Sequence, residues 1–347
     1  MTAKSTLRAI RRRITATVIQ TACDAAPFVP EPLIRFAQDA IAGAGPLVPP
    51  LASLVRRNMR SAGITRPKAV RDYFKQAALH LFNGVRIFHY RRCPERIREI
   101  ARRETQLDES VHDACNVLAS GRGGILAPAH CSNYLISLVR LREVLPLSIY
   151  LRWSKDQRKV ELKRKWCEAA GLDVIIEPRD AANPVGSAMI CADAIRAGKV
   201  LAITPDLVQE ANNGTPVRMF DRIGWLPTGP ASLAMLCEAP LIPIFTKPCE
   251  DQQLIYAGQP ITVPLPPRSE GGRHEGVRRA MQAWADGFVR YVQNSPHLWF
   301  LWADNRWTRF FSNDPEYAAP AAAAKPAVEF NDRSSLNSVP ESRKAPA

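Results

Sequence analysis

The chain of 347 residues lacks most of the short signatures that mark catalytic and nucleotide-binding sites. No G-x-S-x-G is present, which excludes a serine nucleophile elbow; nor is there a G-x-x-x-x-G-K-[ST] phosphate loop or a G-x-G-x-x-G dinucleotide turn. The eight cysteines (23, 93, 115, 131, 167, 191, 237 and 249) are scattered, without a C-x-x-C pair. That spacing argues against a zinc site or a disulfide framework and for reduced, mostly buried thiols in a cytosol-facing protein. Aromatic residues are only 7% and do not alternate with basic ones, so stacking of the RNA-binding type is not expected. The longest uncharged run near the N-terminus, Ala40–Val55, falls short of the roughly 20 residues of a spanning helix. It also holds three prolines. No leader-type apolar stretch with a cleavage site follows the first basic residues.

Acidic charge is scarce as well. The chain carries 47 Lys and Arg against 33 Asp and Glu, a net charge of +14. Residues 1–110 hold 20 of the cations and 9 of the anions, which puts most of the excess in the first third. Arginine dominates there (Arg11, Arg12, Arg13; Arg56, Arg57, Arg60; Arg91, Arg92, Arg96, Arg98). Such a field draws anionic surfaces: phospholipid headgroups, an acidic carrier protein or nucleic acid, the last disfavoured by the missing aromatic pattern. Residues 1–57 therefore read as a basic, amphipathic, membrane-associating segment that lies in the interface rather than crossing it.

Hydrophobic residues are 46% of the chain and recur in ordered blocks. From Pro67 to Ser120 they follow three- and four-residue spacing, predicting a helical lead-in with Asp108 as a helix cap. His80 and His112 fall inside these helices and read as packing or surface residues. After Gly121 the pattern changes. Short apolar runs at Gly124–Ala127, Leu147–Leu151, Leu172–Ile176, Val200–Thr204 and Leu241–Phe245 alternate with helical segments near 131–144, 155–170, 184–197 and 228–238. This alternation predicts an α/β fold with a largely parallel central sheet and helices on both faces, preceded by the helical region. Residues 271–294 predict a closing helix. The domain is expected over 58–311, with 58–120 as lead-in, and the Ala/Pro/Ser-rich residues 312–347 as a disordered tail.

Ligands of open parallel sheets gather at the carboxyl ends of the strands. His130, Arg152 and Asp206 follow three predicted strands, so they are the first candidates for chemistry. Cys131 beside His130 invites a thiol–imidazole pair, but consecutive side chains usually diverge, and an inert cysteine is the simpler reading.

With these residues placed, a family resemblance can be stated. "GRGGILAPAHCSNYL" is similar to the first motif of the lysophospholipid acyltransferase superfamily, and in particular of its bacterial lipid A late acyltransferase branch. That motif is a Gly-rich lead-in, an apolar strand and His-x4-Asp/Glu with an internal Asn-aromatic pair; His130, Asn133 and Tyr134 match. "AIRAGKVLAITPD" resembles the later helix-Gly-strand-Pro-Asp segment and places Asp206 on its aspartate. "GTPVRMFDRIGWLPTGPASLAMLCEAPLIPIF" resembles the Phe-containing loop, the Thr-Gly-Pro helix (Thr228, Gly229) and the following strand; "SPHLWFLWADNRW" resembles the C-terminal Trp block. Tyr150–Arg152 falls at the branch's strand and arginine.

The resemblance implies acyl transfer from an acyl-acyl carrier protein or acyl-CoA thioester to a hydroxyl of a glycolipid or phospholipid. It implies His130 as general base, no cofactor, and work at the cytoplasmic face of a bacterial inner membrane. Asn133, Thr228 and Gly229 are the implied substrate contacts; Arg152 and Arg179 suit lipid or carrier phosphates because a guanidinium binds phosphate in bidentate fashion, with a surface ion pair as their plain alternative.

The sequence departs from the pattern at three places. Leu135 stands where the motif's acid belongs, Leu207 and Val208 follow Asp206 where Gln and an acid are usual, and Asp221 occupies a usual glycine. Either another carboxylate serves His130, with Asp206 ahead of Asp156, Glu210 and Asp221, or the chain is a catalytically impaired relative that binds lipid or carrier protein. The basic helix at 155–166 suits an acidic carrier, a membrane or plain solvent. Trp299, Trp302 and Trp307 suit a membrane interface or a packed last strand.

Overall fold

The computed structural model describes residues 17, 20–22, 24–119, 121, 123–131, 133–151, 157–176, 184–211, 213–264 and 272–320. After helical residues described at 17, 20–22 and 24–25 and a 3-10 turn at Ala26–Phe28 come the helices α1 (Glu31–Ala44), α2 (Pro49–Ser61), α3 (Pro67–His89), α4 (Pro94–Glu104) and α5 (Glu109–Ala119), with strand β1 (Thr105–Leu107) between the last two. Proline opens the first four within their first two positions, where a missing N–H costs nothing. Asp108 caps α5 as expected, its Oδ1 accepting from Ser110 N at 3.0 Å. The uncharged run at 40–55 does not form one helix. It is broken between α1 and α2 by a 3-10 turn at Gly45–Leu47, with Pro46 in that turn and Pro49 and Pro50 starting α2.

Next come β2 (Gly124–Pro128), α6 (Tyr134–Arg142), β3 (Leu147–Leu151), α7 (Gln157–Ala169), β4 (Asp173–Ile176), α8 (Pro184–Arg196) and β5 (Val200–Ala202). Gly171 and Gly198, both at positive φ, end the helices before β4 and β5. A hairpin of β6 (Thr215–Met219) and β7 (Arg222–Leu226) precedes α9 (Gly229–Cys237), β8 (Leu241–Cys249) and β9 (Gln252–Ala257). Helix α10 (Gly272–Asn294), two 3-10 turns at Pro296–Leu298 and Phe300–Ala303, α11 (Asn305–Phe311) and β10 (Ala319–Pro320) complete the described chain.

Seven strands form one sheet in the order β1-β9-β8-β2-β5-β3-β4, and every pair except β8–β9 is parallel. Strand alternation sends side chains to two apolar layers. Ile125, Ala127, Leu201, Leu241 and Phe245 face the layer of α8, α9, α10 and the tryptophans, while Leu126, Ala202, Ile242 and Ile244 face that of α4, α5 and α6. The fold is thus α/β, with a mostly parallel sheet, helices on it and a helical N-terminal region.

Some boundaries differ from the sequence reading. The line at 57/58 falls inside α2, whose Val55 and Met59 are fully buried and whose Asn58 donates to Trp302 O at 2.8 Å. Residues 312–320, assigned to the tail on composition, are packed: Tyr317 and Ala318 are buried and β10 pairs with β7. The remainder of that tail, 321–347, lies outside the described residues. Strands β1 and β9 and the β6–β7 hairpin were not expected.

Candidate active site

Strand β2 ends in the middle of the sheet, between β5 and β8, and delivers His130 to its carboxyl edge. Two contacts fix that residue's backbone. Phe300 N donates to His130 O at 2.8 Å, and His130 N donates to Asp206 Oδ2 at 2.7 Å. The other carboxylate oxygen, Oδ1, lies 2.6 Å from His130 Nδ1. A carboxylate only accepts, so Nδ1 carries the proton and Nε2 keeps the lone pair in the neutral ring. Asp206 thus holds both the main chain and the tautomer of His130.

Asp206 is fully buried. A buried carboxylate needs its lone pairs filled, and a third donor completes the set: Trp299 Nε1 at 3.0 Å from Oδ2. Trp307 Nε1 donates to the Asp206 carbonyl at 2.8 Å. Trp299, Trp302 and Trp307 are fully buried, so of their two readings packing is the observed one; Trp299 lies between the two 3-10 turns and bridges to Cys131, Trp302 is on the second turn and Trp307 on α11, none of them in a named strand. Sequence reasoning missed that two indoles hold the acid. His130, by contrast, leaves 24% of its side chain exposed, enough for a substrate atom to reach it.

Helix α3 supplies neighbours that its sequence pattern concealed. The His80 ring lies 4.3 Å from that of Phe300, the residue bonded to the His130 carbonyl. Burial pushes the His80 pKa down to about 4, and the nearby His130 adds to the shift, so His80 is neutral at pH 7. His80 is therefore a packing residue, the first of its two readings, and the packing it makes is beside the site. Tyr134 stacks on His130 with ring centroids 5.6 Å apart. Asn133 is buried in the left-handed region (φ 63°) and accepts from Asn83 of α3.

Leu135, at the missing acid's position, is 8% exposed and packs in the layer with Ile87, Ile97 and Leu138. A carboxylate there would face hydrocarbon, whereas Asp206 reaches the imidazole from β5. Asp221 occupies the β6–β7 turn, where both Phe220 and Asp221 have positive φ, a conformation that favours glycine. Glu210 accepts from Tyr317 OH at 3.2 Å. Cys131 is buried and its thiol is pushed up to about 11 by that burial, the state of an inert thiol.

Of the candidate residues, the structure brings His130, Asp206 and the Asn133 turn together. Thr228 and Gly229 are exposed at the start of α9. That helix leads into β8, parallel to β2, so its N-terminus lies towards the same carboxyl edge, but no described contact joins it to His130. Arg152, Arg179 and Asp156 lie outside the described residues. No protein-family model matches this chain, and no curated protein does.

Proposed function

We propose that this chain is a membrane-associated acyltransferase that moves a fatty acyl group from a thioester donor, acyl carrier protein or coenzyme A, to a hydroxyl of a glycolipid or phospholipid. The observation that carries the reading is the clamp on His130: a buried carboxylate on Nδ1, with Nε2 left for substrate in a part-exposed ring. In this reading Nε2 takes the proton of the acceptor hydroxyl as its oxygen attacks the thioester carbonyl. The tetrahedral oxyanion collapses, the carbon–sulfur bond breaks and the imidazolium returns the proton to the leaving thiolate. Asp206 stabilises the imidazolium, a task the resemblance assigned to the position of Leu135.

The lipid side rests on a second feature. Phe28, in a 3-10 turn before α1 (Ala26–Phe28), and Leu33, Phe36, Ile41, Leu47, Val48 and Leu51, in α1, its following turn and the start of α2, are exposed within one stretch. Phe36 and Leu47 are 69% and 78% exposed, far beyond ordinary surface hydrophobes. The opposite side of the same helices is docked, through Ile34, Ala52, Val55 and Met59. About 12 Å along α2 from Val48, at 1.5 Å per residue, come the exposed arginines Arg56, Arg57 and Arg60, for which no acidic partner is found among the described residues. An apolar stripe followed by free guanidiniums suits an anionic bilayer surface. No described helix is long and apolar enough to cross a membrane. The reading is tested by incubating the purified protein with acyl thioester and candidate lipids, with product read by mass spectrometry, in wild type and His130→Ala.

A further inference from the structure

Asn133 breaks a local rule. It is the N-cap residue of α6, and an asparagine there normally turns its side-chain oxygen onto the first N–H groups of its own helix. Here the side chain makes no such bond. Its Oδ1 accepts instead from Asn83 Nδ2, on a helix fifty residues earlier. The chain continues from there towards the part-exposed Glu104. Asn83 Oδ1 accepts from Arg86 Nη1 at 2.9 Å, and Arg86 grips Glu104 with Nη2–Oε1 at 2.5 Å and Nη1–Oε2 at 3.1 Å. Asn83, Asn133 and Arg86 are each more than nine-tenths buried.

The chemistry of the chain fixes its direction. A guanidinium has donors only, so Asn83 must offer Arg86 its oxygen and can offer Asn133 only its NH2. Asn133 must then answer with its oxygen, and both amides are locked. Burying such a charged chain gains little stability compared with an apolar core, so its use is better sought in the geometry it imposes.

We infer that the Glu104–Arg86–Asn83 chain is a positioning device for the imidazole. It holds the left-handed turn at Asn133, and through it Tyr134, against His130. Asp206 clamps His130, just after β2, and the relay clamps Asn133, just before α6. The left-handed backbone of Asn133 sends the chain back so that the next ring, Tyr134, lies on the imidazole at an interplanar angle of 25°. Loss of the tie at Asn133 frees Tyr134 and loosens its packing on a face of the His130 ring, while Asp206 still holds the ring edge. The catalytic consequence rests on the acyltransferase reading; the geometric one does not.

Two variants test this. Asn83→Leu keeps the volume and removes both the donor to Asn133 and the acceptor for Arg86. Asn133→Gly accepts the positive φ and removes the side chain. The first readout is the pair of ring C–H resonances of His130 in protein with labelled histidine, assigned with His130→Ala, because the Tyr134 ring shields them directly. Both variants are expected to move them, and to lower kcat for acyl transfer about 10- to 100-fold with KM within about threefold. His130 resonances at the wild-type position in both variants, whatever happens to Tm, overturn the relay. Shifted resonances with an unchanged kcat overturn its positioning role. Shifted resonances in a protein whose wild type transfers no acyl group uphold the relay and sink the proposed function instead.

Discussion

At Asp206 a carboxylate with no exposed surface accepts three N–H donors, from His130 twice and from Trp299 once. Leu135, five residues after His130, is its opposite, an apolar side chain at the position of an expected acid. The structure gives the exchange a sense, since the helix face at 135 points into hydrocarbon while the loop after β5 reaches the imidazole. It follows that Leu135→Glu does not rescue or raise activity. It buries an unpartnered charge and is expected to destabilise the fold by about 3 kcal/mol or more, read as a loss of urea midpoint at pH 7. His80 gives a second residue-scale expectation. Its folded pKa of about 4 lies below the ordinary histidine value of 6.5, so the unfolded chain takes up this proton first as pH falls. The stability contribution is complete above about pH 6.5, is lost between there and pH 4, and amounts to no more than about 3 kcal/mol. Urea titrations of wild type and His80→Asn should diverge in that window and run parallel above it. Asp206 was legible from its place at a strand end together with the Pro-Asp segment of the resemblance. His80, Asn83 and the two indoles were not, because a helical period reports which face is buried and not what that face meets fifty or more residues later.

At the scale of elements, the strands with long apolar runs were readable and the rest were not. β2, β3, β4, β5 and β8 carry the runs that alternation exposes. β1 is three residues long between two helices, and β9 starts with two glutamines, so neither shows a period. The β6–β7 hairpin carries Pro216 inside its first strand and turns on Phe220-Asp221 instead of the usual Asn-Gly, which hides it. Both turn residues sit at positive φ, at 47° and 59°. Asp221→Gly should therefore stabilise the protein slightly, by about 0.5 to 1 kcal/mol, and Asp221→Val destabilise it by at least as much; thermal melts of the two variants decide. A rise in stability with valine would contradict this account of the turn.

For the whole molecule, the excess positive charge and the exposed apolar stripe share the N-terminal helices, and α1 packs on α3, the helix that carries His80 and Asn83. The proposed lipid face and the site are thus one helix apart. Flotation with phosphatidylglycerol vesicles should recover the protein, phosphatidylcholine vesicles should recover much less, and salt should weaken the binding. Phe36→Asp with Leu47→Asp, both at exposed positions, should reduce recovery about tenfold without changing Tm. Equal recovery of wild type and double variant would remove this surface from the account.

The central claim is that Asp206 makes His130 the base of an acyl transfer. The most direct measurement is the rate of acylated lipid formation from acyl thioester, by mass spectrometry, for wild type, His130→Ala and Asp206→Asn. Product well above a boiled control is expected from wild type, none from His130→Ala, and a rate lowered by roughly three to four powers of ten from Asp206→Asn. No product from wild type, or a rate unchanged by either substitution, would contradict it.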